Sequence, residues 1–101
     1  MGCNVLVADE ALEALSNAVS YIDSVLFEPS SAAALLDAFE ELVDRLAAHP
    51  GMYPLCDEER LASMGVRKAL VHGYVALYVE DGEQAAIIGF FHQSQDYAKL
   101  V

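Results

Sequence analysis

Between Arg60 and Val79 the chain carries no acid, and that window holds Arg60, Arg67, Lys68 and His72. Bases are scarce elsewhere: the chain has 5 Lys and Arg against 16 Asp and Glu, a formal net charge of −11. A face that meets an anion must therefore draw on this window. Arg67 brings a planar fork that stays charged and suits a phosphate. His92 brings the side-chain type that exchanges a proton near neutral pH, and Tyr97 adds a hydroxyl. Breaking a phosphodiester by attack of a neighbouring hydroxyl needs a base, a cation for the crowded phosphorus and an acid for the leaving oxygen. Arg67, His92 and Tyr97 are the candidates for that chemistry, with Glu58 or Glu59 as a possible base. Arg60, Lys68 and His72 are candidate partner contacts.

Plainer roles compete for the same residues. Arg67 can bridge to the acidic surface, and His92, at the end of an apolar run, can cap or pack. Tyr74 and Tyr78 share strand parity and read as core or sheet-face residues. His49, beside Pro50, sits where a helix ends and meets its negative pole. His49, Cys56, His72 and His92 have no metal-ligand spacing, so neither a metal nor any other cofactor is expected.

The elements that must position these groups are readable from periodicity. Cys3 to Ala8 reads as a short strand, with Asp9 as the cap of a following helix. Leu12, Leu15, Val19, Ile22 and Leu26 form one apolar stripe. Glu28-Pro29-Ser30-Ser31 breaks the pattern, with the serines placed to cap the next helix. Ala32, Leu35, Leu36, Phe39, Leu42, Val43 and Leu46 form a second stripe, and His49-Pro50-Gly51 ends it. So short a link predicts an antiparallel helical hairpin. Asp57 to Met64 reads as a short helical turn. Val66 to His72, Tyr74 to Glu80 and Gln84 to His92 read as strands, with Gly73 as the first break and Asp81-Gly82 as a type I′ turn. Gly89 suggests a bulge or close packing, and Ser94 to Val101 a short helix or tail. The order predicts an α+β fold: an N-terminal strand, a helical hairpin, then a three-stranded antiparallel sheet.

Composition bounds the rest. The 101 residues suit one domain, 1–101, and 55% hydrophobic residues are ample for a folded core. A net charge of −11 repels nucleic-acid backbones, so any such contact must be local. No apolar stretch approaches the roughly 20 residues needed to cross a bilayer, and no signal-peptide pattern is present. Cys3 and Cys56 form no CxxC pattern, which fits a cytoplasmic protein with reduced thiols. Met1-Gly2-Cys3 does not complete a myristoylation pattern, because position 6 is Leu6 rather than Ser or Thr.

In order and spacing, three segments resemble the RelE/ParE family of small bacterial toxins over about residues 4 to 100. They are Glu10-Ala11-Leu12-Glu13-Ala14-Leu15 leading to Tyr21-Ile22; Leu36-Asp37-Ala38-Phe39 through Leu46-Ala47-Ala48-His49-Pro50; and Val66-Arg67-Lys68 with Tyr74 to Tyr78, Asp81-Gly82, His92 and Asp96-Tyr97. The resemblance implies a toxin of a type II toxin–antitoxin (plasmid stabilisation) system that inhibits growth and is neutralised by a cognate antitoxin protein. One branch of the family is a ribosome-dependent endoribonuclease that cleaves mRNA, and there Arg67, His92 and Tyr97 would be catalytic. The other branch poisons DNA gyrase without cleavage. The chain departs from the family at Tyr53, where Gly is usual, and at Gln93-Ser94-Gln95, where Arg is common. Its acidity departs from the basic mRNA-cleaving branch and favours a protein target. A non-toxic, catalytically inactive protein-binding module on the same fold is the alternative reading.

Overall fold

A computed structural model describes residues 3–101. Met1 and Gly2, on which the lipidation pattern depends, lie outside the described residues. The elements run β1 (Asn4–Val7), α1 (Asp9–Ser24), α2 (Pro29–Ala48), α3 (Glu59–Ser63), β2 (Arg67–Val71), β3 (Tyr74–Glu80), β4 (Gln84–His92) and a closing 3-10 turn, Tyr97–Lys99. The sheet order is β1-β4-β3-β2. The last three strands are antiparallel, as their hairpin spacing predicts. β1 adds parallel to β4, Asn4 opposite Gln84 and Val7 opposite Ile87, so the whole sheet is mixed.

The helix starts differ from the sequence expectation. Ala8 stays extended because its N–H donates to the Ile87 carbonyl at 2.9 Å, continuing the pairing of β1. Asp9 therefore becomes the first helical residue rather than the cap, and with Glu10 it places acid at the positive end of the dipole. Pro29 opens α2, where a missing N–H costs nothing, so Glu28 takes the cap position without a side-chain hydrogen bond. Ser30 and Ser31 lie inside the first turn instead of capping it.

The turns also exchange roles. His72 and Gly73 both have positive φ, 50° and 86°, and Val71 pairs with Tyr74, so the type I′ turn joins β2 to β3. Between β3 and β4 only Gly82 has positive φ, at 90°, which rules out a type I′ turn at Asp81-Gly82. There the Asp81 carboxylate accepts the N–H groups of Gln84 at 2.8 Å and Glu83 at 3.0 Å. These two bonds, that of Gln84 first, hold the carboxyl below its ordinary pKa of 3.8. The depressed value means the turn contributes stability above that pH and loses it as acid protonates the group. Asp81→Asn, which cannot titrate, is expected to show a shallower loss of urea resistance between pH 5 and pH 2 than the unsubstituted chain.

Two apolar layers result from strand parity. On one face, Leu15 and Ile22 of α1 and Leu35, Phe39, Leu42 and Leu46 of α2 pack with Ala69, Ala76, Tyr78, Ile87 and Phe90. The Phe39 and Phe90 rings meet edge-on at 5.6 Å. On the other face, Cys56, Leu61, Val66, Val75 and Leu77 are buried, with Phe91, Tyr97 and Ala98 against them. Coverage of both faces explains the continuous apolar run Val75-Ala76-Leu77-Tyr78, each member buried.

A bulge in β4 decides which way the end of that strand faces. Leu77 pairs with Gly89 but Tyr78 pairs with Ile87, leaving Ile88 as the extra residue. Ile87 and Phe90, three apart, consequently share the helix-covered face. Gly89 also serves close packing, since a Cβ there would fall 2.6 Å from the Phe91 ring.

The link between α1 and α2 carries backbone strain. The Glu28 N–H reaches back to the Ile22 carbonyl at 3.0 Å, and Phe27 turns the chain at φ 54°. Such a left-handed conformation costs a residue with a Cβ about 1–2 kcal/mol, which glycine would avoid.

Candidate functional site

The sheet register separates the residues expected to act together. Arg67 begins β2 opposite Tyr78, whereas His92 ends β4 opposite Tyr74. Four residues of strand and two strand spacings divide them, about 16 Å at ordinary sheet dimensions. Tyr97 belongs to the second face, where its ring stacks with Phe91 at 6.3 Å. Arg67 and His92 both take the parity of the helix-covered face, so the three candidates occupy three places.

Each is engaged locally. Nη1 of Arg67 donates to the Tyr53 carbonyl at 2.6 Å and the Gly51 carbonyl at 3.4 Å. The guanidinium thus ties the loop after α2 to the start of the sheet. Beside it the buried Tyr78 hydroxyl donates to the Pro50 carbonyl at 2.8 Å, and burial raises that phenol's pKa. The His92 ring stands edge-on to Tyr74 at 5.2 Å. Its Nδ1 accepts the Ser94 N–H at 3.1 Å and lies 2.7 Å from the Ser94 hydroxyl. A backbone N–H can only donate, so this contact makes Nδ1 an acceptor and puts the proton of the neutral ring on Nε2.

The candidate partner contacts divide likewise. Arg60, on α3, donates to the carbonyls of Ala98 at 2.6 Å and Val101 at 3.1 Å, which fastens the closing segment over the second face. Lys68 pairs with Asp57 at 2.8 Å, and that bond is the main reason its pKa is raised. His72 stands exposed in the β2–β3 turn. Arg45, the base outside the acid-free window on α2, is raised in pKa by Tyr53 and then Glu41. Of the possible bases, Glu58 caps α3 by accepting the Leu61 N–H at 2.8 Å, and Glu59 opens its first turn. Among the described residues, no three His, Cys, Asp or Glu side chains gather as a metal site would require.

A further concave feature lies between the helices. A groove of about 570 Å³ is lined by Leu12, Leu15, Val19, Ala32 and Leu36, with Asp23 at its rim. Leu12 and Leu36 belong to the apolar stripes, yet they are 52% and 40% exposed because they face this groove rather than the sheet. An apolar stripe wider than the sheet can cover was the signal for it in the sequence. An amphipathic partner helix is the form of ligand that such a groove fits. No helix among the described residues is long and apolar enough to cross a membrane.

Comparison with known proteins agrees with this architecture. The family described as "ParE toxin of type II toxin-antitoxin system, parDE" matches residues 5–97. A solved structure titled "Chromosomal ParDE TA system from P. aeruginosa" superposes with a TM-score of 0.69 at 18% identity, covering 89% of this chain and 95% of that one. At that identity the likeness is one of fold. No curated protein sequence matches. With the family matched over nearly the whole chain and the fold reproduced, this chain belongs to the ParE toxin family of type II toxin–antitoxin systems.

Proposed function

We propose that this chain is a growth-inhibiting toxin that acts in the cytoplasm on a protein target, DNA gyrase, without cutting RNA, and that its cognate antitoxin seats an amphipathic helix in the groove between α1 and α2. The scattering of Arg67, His92 and Tyr97 supports the choice of target, because a phosphodiester can be cleaved only where cation, base and acid converge within hydrogen-bond reach. Nη1 of Arg67 is engaged by two backbone carbonyls, and a net charge of −11 opposes entry into an RNA channel.

Purified gyrase incubated with the freed toxin is expected to lose supercoiling, while transcripts from arrested cells stay uncut. Ribosome-dependent cuts that vanish with His92→Ala would reverse the assignment. Arg67→Ala is expected to behave as a structural substitution. Loss of a charge-assisted donor to two carbonyls costs about 1.5–3 kcal/mol of stability. Gyrase inhibition per folded molecule should change less than twofold, read by supercoiling titration at a temperature where both proteins are folded.

The groove also suits a binding module that arrests nothing. A short antitoxin-like reading frame beside this one favours the toxin, and partner binding without growth arrest favours the module.

A further inference from the structure

The hairpin of α1 and α2 ends in Val25-Leu26-Phe27, whose side chains are 55%, 46% and 81% exposed, with Tyr21 at 52% beside them. Phe27 is the most exposed large apolar residue among the described ones, and no ring pairing reaches it. It also holds the left-handed backbone, φ 54°, that glycine adopts without strain. Two local rules are broken at one position, and glycine would satisfy both. Strain and exposed apolar surface kept together mark a place that serves contact with something else. The tip residues do not line the groove between the helices, so they form a separate feature.

Charge sets the partner's chemistry. Asp23 and Glu28 flank the tip, and the single base of residues 1 to 50, Arg45, lies near the opposite end of α2. That surround disfavours a nucleic-acid backbone and favours a protein rim of Lys and Arg. We infer that this tip is the surface by which the chain engages its target, with Phe27 seated in an apolar pocket of a partner protein whose rim is basic. The inference rests on the proposal that the target is a protein. An aromatic anchor seated in a desolvated pocket, with a polar rim outside it, is the usual anatomy of an energetic centre in such an interface.

The test uses the full chain with Phe27→Gly and Phe27→Asn, since both residues tolerate the left-handed conformation. The expected result is an unchanged or raised Tm, antitoxin affinity within twofold, and at least tenfold weaker growth arrest and gyrase inhibition. Variants as potent as the unsubstituted chain would overturn the inference and leave the gyrase reading standing. If the unsubstituted chain arrests growth without touching supercoiling, the gyrase reading falls. With transcripts uncut, growth arrest then decides for the tip: lost arrest in both variants supports it, retained arrest overturns it, and ribosome-dependent cuts overturn it together with the protein-target reading. Loss of antitoxin binding with arrest intact, or a lowered Tm in both variants, also overturns it. A chain that neither arrests growth nor blocks supercoiling overturns both readings.

Discussion

Leu35→Ala should remove a large share of the stability of this protein. Leu35 is fully buried at the contact between α2 and the sheet, packed with the ring of Phe39 and the leucines further along at helical spacing. Losing three carbons there leaves a cavity that neighbours fill only in part, a cost of about 3–5 kcal/mol. Native domains of this size carry about 5–15 kcal/mol in total. The midpoint of thermal unfolding should fall on the order of 20 °C. A fall of only a few degrees would mean that the helices are not seated on the sheet through this residue.

The adjacent position should respond in the opposite way. Leu36 is 40% exposed and lines the groove between the helices. Leu36→Asp gives up the packing of a side chain that is only partly buried and lowers helix propensity by about 0.5 kcal/mol, so the fold should persist with reduced stability. Placing a carboxylate on an apolar floor already rimmed by Asp23 should weaken the antitoxin at least a hundredfold, equivalent to about 2.8 kcal/mol. Calorimetry with the purified antitoxin measures the loss directly. In cells, the variant should arrest growth even when antitoxin is co-expressed. An unchanged affinity would remove the groove as the antitoxin's seat. Leu35 and Leu36 carry the same side chain one residue apart, and the 100° turn of the helix decides which effect each substitution has.

Local chemistry was readable before any coordinates. The two stripes found α1 and α2, the alternating runs found β2, β3 and β4, and Gly89 marked the bulge. Relations between distant segments escaped. Nothing near Val5 says that β1 will lie parallel to β4, because that pairing is set by how the helical hairpin returns the chain to the sheet. The type I′ turn fell at His72-Gly73 instead of Asp81-Gly82, since a two-residue loop needs left-handed backbone at both positions and Asp81 instead folded its carboxylate onto the next amides.

The candidate site shows the same limit more sharply. Arg67 and His92 group together by residue type, but strand register put them at opposite ends of the sheet, and the extra residue Ile88 set the face on which His92 emerges. Three bases of the acid-free window make contacts within the fold. Arg67 braces a loop, Arg60 fastens the closing segment and Lys68 holds Asp57. Phe27 carried a signal in the sequence, an apolar run Val25-Leu26-Phe27 that stops at Glu28, but its exposure and φ angle became visible only in three dimensions.

Because Asn4 finds its strand partner at Gln84, the first strand must wait through the making of about 80 further residues before its neighbour exists. At roughly 5–20 residues per second that delay is about 4–16 s, during which the nascent chain has no completed sheet on which to settle its helices. A chain assembled this way closes its sheet, and with it the surface that seats both helices, only when its last strand has been made.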